Sequence, residues 1–395
     1  MKRTLVIWGA GRIGRGFVAD IFDDPAFQTV FVDIGKTLVD ELNARGEYTI
    51  ARATRDGISE RVLRNGFTAV HTDDAEALQK LFLQENLLLD IAVHAPKLPE
   101  VADMLAPLFT YRAEHAKDKP MDVMMNVNMS RPDERFWALM RERLTGNALE
   151  YLNESVGVTG IFAMCISPVA PDWLREKDPL ALWNNGYPEQ AIGRTLLKCP
   201  PPVLPRLRLT EDVEREETRK LYTLNMAHAL LCYLGLPLGL KTAREAATDK
   251  RLRPVLVSAL EEASAGLTGE YGFPEEEMRS WRETILSLLE NPYIEDGLQR
   301  LGADSRRKLG PYDRLVGPAR LCMKHGKAPE SLAKAIYAGF RYENDDDGTR
   351  DVRAFVRQNG ISAAAEKYCG LLPDSELYHL IVNGSATDSI SPKNS

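Results

Sequence analysis

Hydrophobic positions in the first half of the chain alternate between short continuous runs and helical spacing. Residues 5–8 form an apolar run typical of a buried strand, and residues 11–22 then carry apolar side chains at helical intervals. The same patterns continue along the chain and predict strands over 29–32, 87–93 and 123–126 and a helix over 36–44. Strands that alternate with helices are typical of a covered parallel sheet, so we expect an α/β fold with a doubly wound parallel sheet.

The pattern changes after the segment 199–205, where four prolines interrupt regular structure. Helical spacing then dominates and predicts helices over 211–234, 251–271, 275–289 and 329–340. We therefore expect two domains, an α/β domain over 1–204 and a mostly α-helical substrate and catalytic domain over 205–384. Residues 385–395 are rich in Ser, Asn and Asp, which predicts a flexible tail.

A glycine-rich segment follows the first predicted strand and fits the pattern GxGxxG. It consists of Gly9, Ala10, Gly11, Arg12, Ile13 and Gly14. Such glycines allow a tight turn and a close approach of a pyrophosphate to the backbone, and the N-terminus of the following helix attracts phosphate. Asp33 ends the next strand, where a carboxylate binds the adenosine ribose and repels the extra phosphate of NADP. The sequence therefore predicts a Rossmann-type domain that binds NAD; a structural turn with a helix-capping aspartate is the alternative.

Composition argues against several other classes of function. The 50 basic and 57 acidic residues give a net charge of −7, which argues against general affinity for nucleic acid. The five cysteines are scattered and do not cluster with the six histidines, so we expect no metal site and no disulfide framework. The apolar runs are too short to predict a membrane span, and we expect no signal peptide. These features favour a cytoplasmic protein whose partner is a small molecule, and they leave the oligomeric state open.

Three polar residues lie close together in the predicted helix 211–234: Lys220, Asn225 and His228. On an ideal helix Asn225 lies about 140° and His228 about 80° around the axis from Lys220, beside an apolar stripe. Partial burial there would lower the pKa of a lysine, which could then act as a general base. Asn and His can donate hydrogen bonds to a reacting oxygen. Solvated or internally satisfied side chains are the alternative.

The spacing Lys220-x4-Asn225-x2-His228 resembles the signature of the polyol-specific long-chain dehydrogenases, the mannitol dehydrogenase family. Segments 9–17, 290–293 and 307–315 also resemble motifs of that family, and the resemblance extends from residue 3 to beyond 340. The chain length favours the branch that acts on sugar phosphates. The resemblance implies a metal-independent oxidoreductase that transfers hydride between NAD and a secondary alcohol of a hexitol phosphate, interconverting mannitol 1-phosphate and fructose 6-phosphate.

The resemblance also implies roles for individual residues. Lys220 would be the general base, Asn225 would stabilise the developing alkoxide, and His228 would hold and orient the substrate hydroxyl. Asn128 matches the asparagine of the family's E-N-M segment and would be a second donor to the oxyanion. These four residues are the catalytic set that the sequence predicts.

Two departures from the family pattern concern the substrate pocket. Val127 replaces the glutamate of the E-N-M segment, and Met164-Cys165 stand where the family has an Asp-Arg pair. Because that pair shapes the polar pocket beside the catalytic lysine, its replacement indicates an altered substrate. Two alternatives therefore stay open: a reductase of a sugar-acid ketone such as fructuronate or tagaturonate, and a dinucleotide-binding sensor without turnover.

A basic segment over 300–324 is a candidate for binding the anionic end of a substrate. The guanidinium group of arginine matches the oxygens of phosphate and carboxylate groups. Arg307, Lys308 and Arg314 lie within the family-like segment and are the residues that we expect to contact an anion. Pairing of these cations with nearby carboxylates is the alternative.

Overall fold

The computed structural model describes residues 2–64, 66–129 and 131–383. The chain separates into two compact units, Met1–Glu214 and Arg215–Ser395. The expected boundary near residue 205 precedes the strand Leu207–Thr210, which still pairs within the first unit. The expected flexible tail over 385–395 lies outside the described residues.

An eight-stranded sheet and a three-stranded sheet form the framework of the first unit. Its strands are β1 Arg3–Trp8, β2 Phe27–Asp33, β3 Tyr48–Thr54, β4 Gly57–Leu63, β5 Thr68–His71, β6 Leu87–Ile91, β7 Met121–Met125, β8 Val156–Phe162, β9 Leu182–Asn184, β10 Gln190–Gly193 and β11 Leu207–Thr210. The large sheet has the order β11-β10-β8-β7-β6-β1-β2-β5. The six strands from β5 to β8 are parallel to their neighbours, and β10 joins β8 in the antiparallel direction. This arrangement confirms the predicted α/β fold with a doubly wound parallel sheet.

Helices cover this sheet, which explains why its central strands β6 and β7 are buried throughout and mostly apolar. The helices of the first unit are α1 Ala19–Ile21, α2 Lys36–Arg45, α3 Ala75–Phe82, α4 Leu98–His115, α5 Pro132–Arg143, α6 Gly146–Ser155 and α7 Asp172–Lys177. One core cluster joins the strand residues Leu89 and Val123 to Phe109, Phe136 and Leu152 on α4, α5 and α6. Burial of a parallel strand on both faces produces the continuous hydrophobic runs that the sequence shows.

The strand order changes direction at β1, which has β2 on one side and β6 on the other. Trp8 at the end of β1 is paired with Val32 of β2 and Ile91 of β6. In open α/β sheets, ligands bind outside the carboxyl ends of the strands at such a switch point. The glycine-rich segment follows β1 at this position.

The sequence analysis does not predict the second sheet, in which the strands have the order β4-β3-β9. β4 pairs with β3 in the antiparallel direction, and β9 pairs with β3 in the parallel direction. Most residues of β4 are exposed or partly exposed, including Ser59 and Glu60. Because such a strand buries few apolar side chains, it carries no hydrophobic run that would identify it.

The second unit is helical, as predicted. The helices from the unit boundary onward are α8 Val213–Lys220, α9 Met226–Gly235, α10 Ala243–Thr248, α11 Arg253–Tyr271, α12 Glu275–Leu289, α13 Leu298–Gly302, α14 Ser305–Lys308, α15 Val316–Lys324, α16 Glu330–Arg341, α17 Asp347–Cys369 and α18 Glu376–Asn383. The central helix α9 packs against α10, α11, α13 and α16. Ala227, Leu230, Leu231 and Cys232 of α9 are fully buried, because neighbouring helices surround it.

One helical stretch is more apolar than the sequence analysis expected. Val213–Leu238 is long and apolar enough to cross a membrane by length and composition. Within the protein, however, 61% of its most apolar window is buried, as in a core helix. A single helix of this kind is weak evidence for a membrane span.

Candidate active site

The glycine turn after β1 has a backbone that suits glycine. Gly9 has a φ of +103°, and a Cβ there would lie 2.5 Å from the carbonyl oxygen of Ala92, just after β6. A Cβ on Gly14 would lie 2.2 Å from the Gly9 carbonyl oxygen, so the following helix packs directly on the turn. At Gly11, apart from the glycine and its two chain neighbours, no heavy atom of the described residues lies within 4 Å of the Cβ position. Gly11 and Arg12 are both exposed residues of this turn.

The helix that follows this turn has π geometry over Gly14–Val18. In a π-helix each backbone hydrogen bond spans five residues instead of four, which interrupts the regular pattern of acceptors. The second sheet supplies two donors to this segment. Tyr48 Oη donates to the Arg15 carbonyl at 2.9 Å, and Asn184 Nδ2 donates to the Gly16 carbonyl at 2.8 Å. The second sheet thus supports the helix that begins at the glycine turn.

Asp33 lies at the carboxyl end of β2 and is bonded to the glycine turn. Its Oδ2 accepts a hydrogen bond from the Ala10 N–H at 2.8 Å, and its Oδ1 accepts one from the Gly35 N–H at 2.8 Å. Each carboxylate oxygen retains further acceptor capacity for a ribose hydroxyl. A structural role and a cofactor-binding role are therefore compatible at this residue.

Together these features fit a bound dinucleotide. The exposed residues Gly11 and Arg12 at a helix N-terminus suit the pyrophosphate, and the Asp33 carboxylate suits the adenosine ribose. The remaining predicted residues, Ala10 and Ile13, are buried and half-buried and shape the turn. The individual contacts that we predict for these residues stay predictions.

Asn128 is exposed in the loop that follows β7. The start of this loop is anchored by Asn126, whose Nδ2 donates to Oδ2 of Asp90 at 2.5 Å. Asp90 is fully buried on β6, and burial raises its pKa to about 8. Its carboxyl group is therefore mostly protonated at neutral pH. The role of Asn128 as a donor to the oxyanion stays a prediction.

The Met164-Cys165 segment lies in the loop that follows β8. The side chain of Met164 is buried, whereas Cys165 is partly exposed. Asn185 fastens this loop, because its Nδ2 donates to the Met164 carbonyl at 2.8 Å and its Oδ1 accepts from the Ile166 N–H at 3.1 Å. An ionised side chain at the position of Met164 would lose its hydration, so the apolar residue suits this place.

Lys220, Asn225 and His228 lie around a second π-helical segment, Leu221–Asn225, which joins α8 to α9. The Met226 N–H donates to the Leu221 carbonyl, five residues earlier. The expected separation of about 140° between Lys220 and Asn225 assumes an uninterrupted α-helix. In a π turn five residues make little more than one turn, so Asn225 lies roughly above Lys220. His228 follows three residues later, close to the same face.

Burial and four cations act on His228. Its pKa is lowered to about 3, first by burial and then by the cations Arg314, Arg300, Lys220 and Lys308. The imidazole is therefore neutral near pH 7 and has one donor and one acceptor nitrogen. The structure thus brings Lys308 and Arg314, two residues of the predicted anion site, within electrostatic range of the predicted catalytic residues.

Lys308 is buried, and its ammonium group is bound to the backbone. Nζ donates to the Leu301 carbonyl at 2.5 Å and to the Ala303 carbonyl. Its pKa is lowered to about 8 by burial and by the positive charges of Arg314 and Arg307. These contacts give Lys308 a structural role in addition to any contact with an anion.

Arg314 and Arg307 share the carboxylate of Asp313. Arg314 Nε lies 2.8 Å from Oδ1 of Asp313, and Arg307 Nη1 lies 3.6 Å from Oδ2. Arg307 also pairs with Asp304 at 3.0 Å, and its side chain is 54% exposed against 12% for Arg314. Pairing with carboxylates therefore accounts for part of this basic segment, and contact of these arginines with an anion stays a prediction.

The sequence analysis misses the residues that support the second π segment. Thr223 is fully buried inside it, and its hydroxyl donates to the Arg219 carbonyl at 2.6 Å. The same hydroxyl accepts a hydrogen bond from Trp281 Nε1 at 2.9 Å. A threonine in an apolar helix is a weak local signal of such a contact, and Trp281 is 58 residues away in the chain.

A structural metal site or a catalytic zinc site needs three or four ligands close together. Within residues 2–64, 66–129 and 131–383, no group of three or more His, Cys, Asp or Glu side chains could hold a metal ion. The metal independence that the resemblance implies stays a prediction.

Two sequence profiles match most of the chain. Residues 3–198 match the mannitol dehydrogenase Rossmann domain, and residues 212–362 match the mannitol dehydrogenase C-terminal domain. The predictions of a Rossmann-type domain with NAD as cofactor and of a polyol dehydrogenase are confirmed at the level of the family.

Solved structures show the same fold. A D-sorbitol dehydrogenase in substrate-free form is 15% identical, with a TM-score of 0.81 and coverage of 99% of this chain and 95% of that one. The mannitol 2-dehydrogenase of Pseudomonas fluorescens, in a ternary complex with NAD and D-mannitol, is 17% identical, with a TM-score of 0.66 and coverage of 99% and 93%. By the two profile matches, the chain belongs to the mannitol dehydrogenase family.

Proposed function

We propose that the chain uses NAD to oxidise a secondary alcohol of a hexitol phosphate, or NADH to reduce the matching ketone, with Lys220 as the general base. The mannitol dehydrogenase profiles and the arrangement of Lys220, Asn225 and His228 around one π turn support the reaction type. A structural neighbour, mannitol 2-dehydrogenase, binds NAD and D-mannitol. The positive field at His228 is the observation that carries the choice of an anionic substrate.

In this proposal each side chain acts on the substrate hydroxyl. Lys220, once it has lost its own proton, takes the hydroxyl proton on Nζ while a hydride leaves the carbinol carbon. NAD supplies the hydride acceptor. Asn225 Nδ2 donates to the oxygen as its negative charge develops, and neutral His228 donates from one ring nitrogen. Asn128 is proposed as a further donor to this oxygen.

An anionic group on the substrate would offset the positive charge around this helix. Four cations lower the pKa of His228, and two of them have carboxylate partners: Arg314 pairs with Asp313 and Arg300 with Asp296. A neutral polyol would gain nothing from the remaining positive charge, whereas a phosphate would interact favourably with it. We therefore propose a phosphate on the substrate, with Arg314 as the first residue to contact it.

A panel of substrates tests this function. Absorbance of NADH is followed with mannitol 1-phosphate and NAD, and with fructose 6-phosphate and NADH, beside mannitol, fructose, fructuronate and tagaturonate. Turnover with the phosphates, lost in Lys220→Ala, is the expected result. Turnover with the hexuronates alone would indicate that the anionic group of the substrate is a carboxylate and not a phosphate. NADH binding without any turnover would contradict the proposed dehydrogenase activity and favour a dinucleotide-binding sensor.

A pair of arginine variants tests the anionic substrate separately. Arg314→Gln removes a cation that acts on His228, whereas Arg306→Gln removes a 57% exposed cation that pairs with Asp351. We expect Arg314→Gln to raise KM for the sugar phosphate about tenfold or more and to leave the dissociation constant of NADH unchanged. Equal, small effects of both variants would show that Arg314 does not contact the phosphate.

A further inference from the structure

We propose that Thr223 and Trp281 are positioning residues that maintain the π turn and thereby place Lys220 and Asn225 on one substrate oxygen. This inference rests on the function proposed above. Neither residue would touch the substrate: each would act through the backbone between the two catalytic side chains. The contacts that support this proposal all lie within the second unit.

The first step concerns the Thr223 hydroxyl. In an uninterrupted α-helix the Arg219 carbonyl would accept a hydrogen bond from the backbone N–H of Thr223, four residues later. Here the hydroxyl of Thr223 donates to that carbonyl at 2.6 Å, inside the protein. A side chain that competes in this way with the backbone weakens α-helical geometry locally. The hydroxyl therefore weakens the α-helix at the point where it changes from α to π, and it favours the wider turn only together with its second partner, Trp281.

The second step concerns α12, which holds the same turn from outside. Trp281 Nε1 donates to the Thr223 hydroxyl at 2.9 Å, which orients that hydroxyl so that its own proton is directed to the Arg219 carbonyl. The guanidinium carbon of Arg219 lies 4.0 Å from the Trp281 ring centroid, and Glu277 of the same helix pairs with Arg219. α12 therefore contacts Arg219, the residue immediately before Lys220, twice directly and a third time through the Thr223 hydroxyl.

The third step is the consequence for the catalytic side chains. With α geometry, Lys220 and Asn225 would be about 140° apart and on nearly opposite sides of the helix. With π geometry, the two side chains lie on similar sides, one turn apart. Because a general base and an oxyanion donor must act on the same hydroxyl, the π turn is the arrangement that the proposed reaction needs.

Four variants test this proposal in the full chain. Thr223→Val removes the hydroxyl at nearly constant volume, Trp281→Phe removes the indole N–H, and Thr223→Ser keeps the hydroxyl. Ser264→Ala is the matched control, because Ser264 is buried in α11 and donates to the Leu260 carbonyl at 2.6 Å without an adjoining π segment. All four are compared by thermal unfolding, NADH titration, kcat and KM.

We expect Thr223→Val and Trp281→Phe to lower kcat about 100-fold, with KM for the substrate and NADH affinity changed less than threefold. Thr223→Ser should restore most of kcat. Ser264→Ala should lower Tm to a similar extent without a loss of kcat. Wild-type kcat in folded Thr223→Val, or an equal loss of kcat in Ser264→Ala, would overturn the proposal.

A structural measurement separates this proposal from the proposed function. If the wild type turns over none of the substrates, the function fails, and a crystal structure of Thr223→Val then decides the inference. Return of residues 221–225 to α geometry would support the role of the hydroxyl in maintaining the turn. Retention of the π turn without the hydroxyl would overturn it, whatever the substrate.

Discussion

Replacement of His228 by glutamine should change the pH dependence of stability in a predictable direction. The folded protein lowers the pKa of His228 from 6.5 to about 3, because burial and the neighbouring cations disfavour the imidazolium. In the unfolded chain the same side chain binds a proton near pH 6.5. Below that pH the unfolded state therefore binds more protons than the folded state, and acid destabilises the wild type at this residue.

The magnitude follows from the two pKa values. Each pH unit between them changes the free energy of unfolding by about 1.4 kcal/mol. At pH 5, about 1.5 units below the unfolded pKa, protonation of His228 in the unfolded state should lower the free energy of unfolding of the wild type by about 2 kcal/mol. This loss should continue towards pH 3. The ring retains partial contact with solvent, so this figure is an upper value. His228→Gln lacks the titrating group and should not show this component.

Urea unfolding of both proteins at pH 7.5 and pH 5 measures the effect. Far-UV circular dichroism follows the helices, and the quantity of interest is the difference in unfolding free energy between wild type and His228→Gln at each pH. We expect this difference to move by about 2 kcal/mol in favour of the variant at pH 5. Arg314→Gln removes the largest charge effect on His228 and should raise its folded pKa, so its acid loss should equal that of the wild type at pH 5 and become smaller than it only towards pH 3.

A constant difference at the two pH values would refute this reasoning. A direct NMR titration provides an independent test, because the ring of His228 should stay neutral down to about pH 4. Titration near pH 6 would mean that neither burial nor the cations act on this ring, and the argument for an anionic substrate would then lose its main support.

Three further predictions concern the first unit. Gly14→Ala places a Cβ 2.2 Å from the Gly9 carbonyl oxygen and should abolish NADH binding. In Gly11→Ala the new Cβ has no described atom within 4 Å apart from its chain neighbours, so this variant should fold but bind NADH about tenfold more weakly. Asp33→Asn removes the charge that repels NADP and should raise the kcat/KM ratio of NADP to NAD about tenfold. Met164→Asp puts a carboxylate at a buried position and should lower the free energy of unfolding by about 3 kcal/mol in urea. Unchanged NADH affinity in the glycine variants would contradict the placement of the turn. An unchanged kcat/KM ratio of NADP to NAD in Asp33→Asn, or an unchanged free energy of unfolding in Met164→Asp, would contradict the placement of that residue.

Hydrophobic patterning predicts the elements that are buried on regular faces. The runs at β1, β6 and β7 identify the centre of the sheet, and the predicted helix over 275–289 coincides with α12. The same method fails at β4, since a strand with mostly exposed side chains lacks the apolar residues on which the method depends. The antiparallel pairing of β10 with β8 is missed for a related reason, because pairing direction depends on contacts between distant segments.

The candidate site shows the same limit at finer detail. Spacing is enough to identify Lys220, Asn225 and His228 as one group, but an ideal helix places the first two about 140° apart. The π turn that changes this angle depends on Trp281, which no local pattern connects to Thr223. The carboxylate partners of the basic segment are likewise identified only by the structure, although the sequence analysis gives pairing with nearby carboxylates as an alternative.

Both segments that we assign to chemistry depart from α geometry, and each is supported by side chains from a distant element. Tyr48 and Asn184 of the second sheet donate to the π segment beside the glycine turn, and Trp281 of α12 donates to Thr223 in the other. A π turn gives up regular helical bonding and persists where surrounding contacts offset that loss. The second sheet and α12 contain no residue of the predicted catalytic or cofactor set. Their contribution to function is therefore to stabilise the two irregular turns on which those residues depend.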